Sequence, residues 1–240
     1  MTQAAPRKSD LGVRVLSAVV MVALAGTALW LGGPIFSAFV AVVALGVCWE
    51  WWGLVRKLSG KTAVRAAWAI GGLFYIGLGA LTLLVIRDPG LAVALQILLM
   101  VVAVDVGAYF AGRIIGGPKI APKISPSKTW AGLGGGIVAA SVVHAVIMPW
   151  TYHDFDPGNV GEITTLSLLG GTMVTIIAQA GDFFESWMKR RAGVKDSGLL
   201  IPGHGGLFDR VDGLLAVLFL GGLFGLGNIV AFVLLPYSQP

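Results

Sequence analysis

Long apolar runs alternate with short polar breaks along almost the whole chain. The runs lie near residues 13–31, 34–55, 66–86, 91–111, 130–148, 163–179 and 214–235. Each is close to the roughly 20 predominantly apolar residues that a helix needs to cross a bilayer. The pattern predicts an all-α, polytopic integral membrane bundle of about seven spans. Breaking the longer runs into paired shorter helices would raise the count to eight or nine. Gly32-Gly33-Pro34 and Asp88-Pro89-Gly90 read as tight turns between antiparallel neighbours. The first run follows a short polar start and leads directly into the second, with no small-residue cleavage site between them. It therefore reads as a retained span and not as a signal peptide.

Composition narrows this further. The chain is 56% hydrophobic and 12% charged, with 35 glycines and a mean hydropathy of +0.85. A soluble domain carries roughly 25% charged residues. A soluble globule of 240 residues could not hide this much apolar surface. Disorder needs the opposite composition, and the glycines lack the three-residue period of collagen. Glycine enrichment does suit close helix packing in lipid. The single cysteine, Cys48, allows no intrachain disulfide.

The formal charge of +5 changes the picture through its distribution. With a cytoplasmic N-terminus, alternate loops collect sixteen of the seventeen Lys and Arg residues, and only Arg87 falls on the other side. The outer loop after Trp150 holds Asp154, Asp156 and Glu162 and no base. This is the asymmetry of the positive-inside rule, and it favours an odd span count. No basic run interleaved with aromatics suggests a nucleic-acid partner. Trp49, Trp51, Trp52, Trp130 and Trp150 read as interfacial residues. The chain reads as one integrated membrane domain. Residues 1–112 supply N-terminal transmembrane helices. Residues 113–240 form a catalytic transmembrane region with two long polar loops, 113–129 and 186–212.

Charged groups within spans cost at least about 2.5 kcal/mol each near the bilayer centre. Glu50, Asp105, Asp182 and Glu185 stand out for that reason, and all lie toward the cytoplasmic ends of their runs. Asp105 and Tyr109 share a helix face at i and i+4. Ser125, Ser127, Lys128 and Thr129 immediately precede the fifth run, where hydroxyls cap a helix and free N–H groups with a lysine attract phosphate. Asp182, Glu185, Ser186 and Lys189 share another face, and Asp209 and Asp212 stand at i and i+3 where the last run begins. Carboxylates gathered this way repel unless a cation joins them. Oxygen-only donors favour Mg²⁺ held by one or two carboxylates plus phosphate oxygens. His204 is a candidate metal or acid–base group, but no cysteine or second histidine lies near it in the chain, which argues against zinc. His144 and His153 read as structural.

One stretch is specific. Ser186, Lys189-Arg190, Lys195-Asp196-Ser197-Gly198, Pro202, His204-Gly205-Gly206 and Asp209-Arg210-Val211-Asp212 follow one another over 27 unbroken positions. This pattern resembles the signature of the phosphatidate cytidylyltransferases, also called CDP-diacylglycerol synthases. The segments at Asp105–Arg113 and Ser125–Trp130 resemble the same family's other polar stretches. The resemblance implies that CTP and phosphatidic acid give CDP-diacylglycerol and pyrophosphate in phospholipid biosynthesis. It implies Asp182 and Asp209, with Asp212 as a third candidate, as ligands of Mg²⁺. Lys189, Arg190, Lys195 and Arg210 would hold phosphates, with Asp182, Asp209, Lys189 and Arg210 as the catalytic group. Ser125, Lys128 and Thr129 would complete the phosphate cradle. Ser186, Asp196, His204 and Asp105 would join the substrate-binding set. The resemblance also implies a bacterial inner-membrane enzyme, a cytoplasmic active site and a homodimer. Selection of CTP over ATP rests on it alone. One position departs: many members carry Glu after Lys-Thr-Trp, where this chain has Ala131.

Two other readings compete. An ion-coupled carrier also places carboxylates within spans, but nearer the midplane. A CDP-alcohol phosphotransferase would suit Asp209-x-x-Asp212-Gly213-x-x-Ala216. It fails at Val217, where that family has Arg, and no Asp follows Asp212. A purely structural membrane protein leaves the loop chemistry unexplained.

Overall fold

The computed structural model describes residues 11–58, 60–88, 90–151, 159–201 and 203–225. Among these residues, seven helices and one hairpin follow in order: α1 (Leu11–Leu31), α2 (Gly33–Leu58), α3 (Thr62–Arg87), α4 (Leu91–Ile114), β1 (Lys119–Ala121), β2 (Ser125–Thr129), α5 (Trp130–Thr151), α6 (Val160–Ala192) and α7 (Phe208–Leu223). Among the described residues, α1 to α6 are long and apolar enough to cross a membrane. The seventh run begins inside α7, and its residues 226–235 lie outside the described residues, as do Arg7, Lys8, His153, Asp154, Asp156 and Pro202.

The breaks follow local chemistry. Gly32 and Gly33 take positive φ of 64° and 51°, which lets the chain reverse between α1 and α2 within one residue. Arg87, at the end of α3, reaches that turn. Its Nε donates to the Leu29 carbonyl at 2.8 Å and its Nη2 to the Trp30 carbonyl at 3.3 Å. It thereby satisfies carbonyls that α1 leaves free at its end. At the start of α6, the Asn159 side chain accepts from the Glu162 N–H. Gly193, at φ +68°, ends that helix in a left-handed cap.

Two features depart from the expected layout. The apolar run of α6 stops near Gln179, yet the helix continues to Ala192. Lys189, Arg190 and Arg191 complement the partial negative charge of its C-terminal turn, so the segment predicted as loop from residue 186 begins as helix. The 113–129 loop also carries a small antiparallel ladder, β1 to β2, with Lys119 opposite Thr129 and Ala121 opposite Ser125. Pro122 and Lys123 form its turn.

The helices pack through small residues. The tightest seam joins α4 to α5, where Gly107 faces Gly135. A methyl group added at Gly107 would lie 2.5 Å from the Gly135 carbonyl oxygen. Backbone contact of this kind gives two membrane helices dispersion energy that bulkier residues would prevent. Further along, α6 packs on α5 and on α7, and α3 packs on α7. A buried cluster of Val47, Trp51, Leu54, Ile76, Met188, Phe208 and Leu215 joins α2, α3, α6 and α7 at one end of the bundle. Trp51 belongs to this core and not to an interfacial belt. It is 4% exposed, and its indole N–H donates to the Trp68 carbonyl at 2.9 Å. Trp49, Trp130 and Trp150 are exposed, as interfacial residues should be. His144 is buried with Nδ1 at 3.1 Å from Ser167 Oγ, a structural setting.

The same end of the bundle receives the C-terminal ends of α2, α4 and α6 and the starts of α5 and α7. Glu50, Asp105, Asp182, Glu185, Asp209 and Asp212 are therefore gathered there, together with the hairpin.

Gly135→Ala places a methyl against Ala111 and the Gly107 carbonyl. It should destabilise the bundle by about 1–3 kcal/mol. Gly134→Ala, where nothing lies within 4 Å, should leave stability unchanged or slightly higher. Thermal unfolding in detergent, followed by tryptophan fluorescence, separates the two.

Candidate functional site

Two polar groups form at this end, on either side of the contact between α6 and α7. The first centres on Asp209, in the first turn of α7. Its Oδ1 accepts from Lys189 Nζ at 2.6 Å. Its Oδ2 accepts from the Ser197 N–H at 3.0 Å, the Gly206 N–H at 2.8 Å and the Ser197 hydroxyl at 3.0 Å. Lys189 also pairs with Glu185 at 2.5 Å, one helical turn back on α6. Burial pushes the Asp209 carboxyl up. The hydrogen bonds from Lys189 and from the Ser197 and Gly206 N–H groups outweigh burial and hold it well below the usual carboxylate range.

Behind this group lies Glu50, 3% exposed. Its Oε1 accepts from the Leu207 N–H at 2.9 Å. Its Oε2 accepts from the Phe208 N–H at 2.8 Å and from the Ser197 hydroxyl at 2.9 Å. A carboxylate from α2 thus caps α7, whose own N-cap residue, Leu207, supplies no side-chain cap. The loop passes close over it. A methyl group added at Gly206 would lie 2.6 Å from Glu50 Oε2.

The second group lines a cavity of about 400 Å³ between α4, the hairpin, the start of α5 and α6. Asp105, Tyr109 and Arg113 come from α4, Lys119 from β1, Ser127, Lys128 and Thr129 from β2, and Gln179 and Asp182 from α6. Lys128 and Asp182 form an ion pair across it, each about a fifth exposed. Arg113 donates to the Tyr109 hydroxyl at 3.4 Å. Thr129 is buried, and its hydroxyl accepts from the Gly132 N–H at 3.0 Å, which caps α5 at the cavity wall.

Asp182, Asp209 and Asp212 do not close on one point. Asp209 faces Lys189 and the loop, and Asp182 faces Lys128. Asp212 Oδ1 accepts from the N–H of its neighbour Gly213 at 2.9 Å. Among the described residues, no three acidic, histidine or cysteine side chains are placed to hold one metal ion. Asp182 and Asp212 do meet across the helix contact. A methyl group at Gly213 would lie 3.0 Å from Asp182 Oδ1, and one at Gly181 would lie 2.6 Å from the Asp212 carbonyl. Burial, and then the charge on Asp182, push the Asp212 carboxyl well up.

The remaining sequence candidates lie around these groups. Ser125 is buried in β2, and Ser186 is half-buried on α6. Arg190 is exposed and donates to the Ile124 carbonyl of the hairpin at 3.4 Å. Lys195 and Asp196 are exposed on the loop. His204 Nδ1 is 2.7 Å from Ser17 Oγ of α1, and its carbonyl accepts from Arg210 at 2.7 Å. Ala131 is half-buried in the first turn of α5. Sequence reasoning left Ser197, Gln179, Arg113 and Lys119 without a role. It marked Glu50 as a span carboxylate but did not place it at the site. No spacing links residue 50 to residue 208; only its position within a span signalled it.

Comparison with known proteins is consistent over most of the chain. The sequence model of the Cytidylyltransferase family matches residues 55–224. The chain is 34% identical to the phosphatidate cytidylyltransferase of Brucella suis biovar 1, over 90% of this chain and 94% of that protein. It is 32% identical to the phosphatidate cytidylyltransferase of Rickettsia bellii, over 91% of this chain and 94% of that one. It is 34% identical to that of Haemophilus influenzae, over 77% of this chain and 68% of that protein.

Thr129→Val removes the α5 cap and should lower stability by about 1 kcal/mol, whereas Thr129→Ser keeps the hydroxyl and should hold it. Thermal unfolding of the two variants in the same detergent provides the check.

Proposed function

The chain belongs to the cytidylyltransferase family, and from that premise we propose that it is a phosphatidate cytidylyltransferase, which makes CDP-diacylglycerol and pyrophosphate from CTP and phosphatidic acid. It is a nucleotidyltransferase and a multi-pass membrane protein. An oxygen of the lipid phosphate attacks the α-phosphorus of CTP. The bond from that phosphorus to the bridging oxygen breaks, and pyrophosphate leaves. The lipid phosphate is already largely ionised at neutral pH, so no general base is needed. The difficulty is to bring two polyanions together in line, which charge neutralisation and positioning address.

The observation that carries this reading is the cavity itself. Lys128, Arg113 and Lys119 stand in one wall-to-wall space of about 400 Å³, at the bundle end where the headgroup of a membrane lipid would lie. In the proposed mechanism these cations hold phosphate oxygens, and Asp182 keeps Lys128 oriented. Lys189 is fixed by Asp209 and Glu185, so its charge is positioned before any substrate arrives. Arg190, Lys195 and Arg210 are exposed and in this reading meet the incoming triphosphate.

The carboxylates fit Mg²⁺ in one form only. They do not build a closed cage, but Asp182 and Asp212, side by side across the α6–α7 contact, fit an ion whose shell is completed by phosphate oxygens. Mg²⁺ held there would supply neutralisation of the charge on the departing pyrophosphate. Asp209, whose two oxygens already accept from Lys189 and from the Ser197 and Gly206 N–H groups, serves in this reading to hold Lys189 and the loop.

The distribution of Lys and Arg supports a polar end facing the cytoplasm, and the inner-membrane location rests on the resemblance alone. The acyl chains would stay in the adjoining leaflet while the headgroup enters the cavity. A homodimer is part of the same proposal, on the resemblance alone.

Detergent-purified protein should release pyrophosphate only when CTP, phosphatidic acid and Mg²⁺ are all present, and EDTA should stop it. Folded protein with no turnover under any nucleotide would turn the reading toward a carrier. Asp182→Asn and Asp209→Asn should each lower kcat by about a hundredfold or more. Lys128→Ala should raise the KM for substrate more than it lowers the unfolding temperature.

A further inference from the structure

We propose that Glu50 is a positioning residue for the transfer reaction: through the Ser197 hydroxyl and the first N–H groups of α7, it sets where Asp209 and the 197–208 loop stand. The consequence for turnover rests on the cytidylyltransferase reading of the site. The family match at residues 55–224 does not include this residue.

The loop between α6 and α7 needs an anchor from outside itself. It leaves α6 after Ala192 and returns at Phe208, and among its described residues the bridge between Ile201 and Gly205 is the one strand-like tie. Glu50 clasps both ends. Ser197 binds it on the outgoing side, and Leu207 and Phe208 bind it on the returning side. The same Ser197 contributes its backbone N–H to Asp209, one residue beyond Phe208. The position of Asp209, and through it that of Lys189, is therefore set by a carboxylate on a different helix.

The chemistry of the clasp is specific to a carboxylate. Each oxygen of Glu50 accepts a different backbone N–H, and those N–H groups can only donate. An amide of the same size has one oxygen and one NH₂ group. Whichever way it turns, its NH₂ faces a backbone N–H, and one bond of the pair is lost. The Ser197 hydroxyl has one hydrogen and two carboxylates within reach, Glu50 at 2.9 Å and Asp209 at 3.0 Å. It can satisfy one at a time, so it couples the two acids directly. Gly198 and Gly206 leave no room for a side chain between the loop and Glu50, so the loop is seated on this group.

The test compares Glu50→Gln with wild type in three readouts. A displacement on the order of 1 Å costs about a hundredfold in rate. We expect kcat for pyrophosphate release to fall roughly ten- to a hundredfold, with the KM for phosphatidic acid and the thermal midpoint of the bundle near wild type. Trypsin should cut faster after Lys195 in the variant. Ser197→Ala, which keeps both α7 N–H bonds, is the second variant. It should lower kcat in the same direction but less, and adding it to Glu50→Gln should lower kcat no further. Wild-type kcat in Glu50→Gln, or a fall in kcat that only follows a falling thermal midpoint, overturns the proposal. So does an unchanged rate of cleavage after Lys195. If wild-type protein releases no pyrophosphate, the cytidylyltransferase reading falls, and the cleavage comparison still decides whether Glu50 orders the loop.

Discussion

A buried carboxylate and the bare start of a helix hold each other in place, and the polar end of this bundle is arranged around them. Burying the Glu50 side chain at this depth would be costly without hydrogen-bond donors. The first N–H groups of α7 could not be buried there without an acceptor. Each satisfies the other. From this pairing the rest follows in sequence. The start of α7 fixes Asp209, Asp209 fixes Lys189, and Lys189 is shared with Glu185 on α6. A helix cap is usually a local matter of neighbouring residues. Here it is made across the bundle, so local order in the loop depends on global packing of α2 against α6 and α7.

The cavity side is organised by a different means. Backbone contact between α4 and α5 brings Asp105, Tyr109 and Arg113 level with the start of α5, where Thr129 caps the helix and Lys128 enters the cavity. The hairpin fixes the direction from which Lys128 arrives, because β2 runs straight into α5. Asp182 on α6 meets it there. The two polar groups are thus positioned independently, one by a cross-bundle cap and the other by a glycine seam. They meet where Asp182 and Asp212 face each other.

Much of this was legible in the residues. Seven apolar runs and the one-sided distribution of Lys and Arg predicted the helices, their alternation and the gathering of carboxylates at one end. The unbroken pattern from Ser186 to Asp212 identified the chemistry. What was not legible depends on partners distant in the chain. Trp51 and Trp49 are two residues apart in one run, yet one is core and the other exposed; only the packing of α3 and α6 against α2 distinguishes them. Asp182 and Asp209 look equivalent as acids at span ends, but each is held by a different lysine. The hairpin had no alternating pattern to announce it, since Ser-Pro-Ser-Lys-Thr is polar throughout. Glu50 was visible as an anomaly, but its role could be read only once α7 was seen to begin beside it.

The glycine seam between α4 and α5 divides the molecule into a permissive part and an unforgiving one. On the outward faces, where Leu16, Val22, Val42, Ile70 and Val138 lie exposed, any apolar side chain of ordinary size serves equally well. At Gly107 and Gly135 no side chain fits at all. A lineage moving between membranes of different lipid composition can therefore rewrite the outer shell freely. Tolerance at the surface and intolerance at the seam are two results of the same packing.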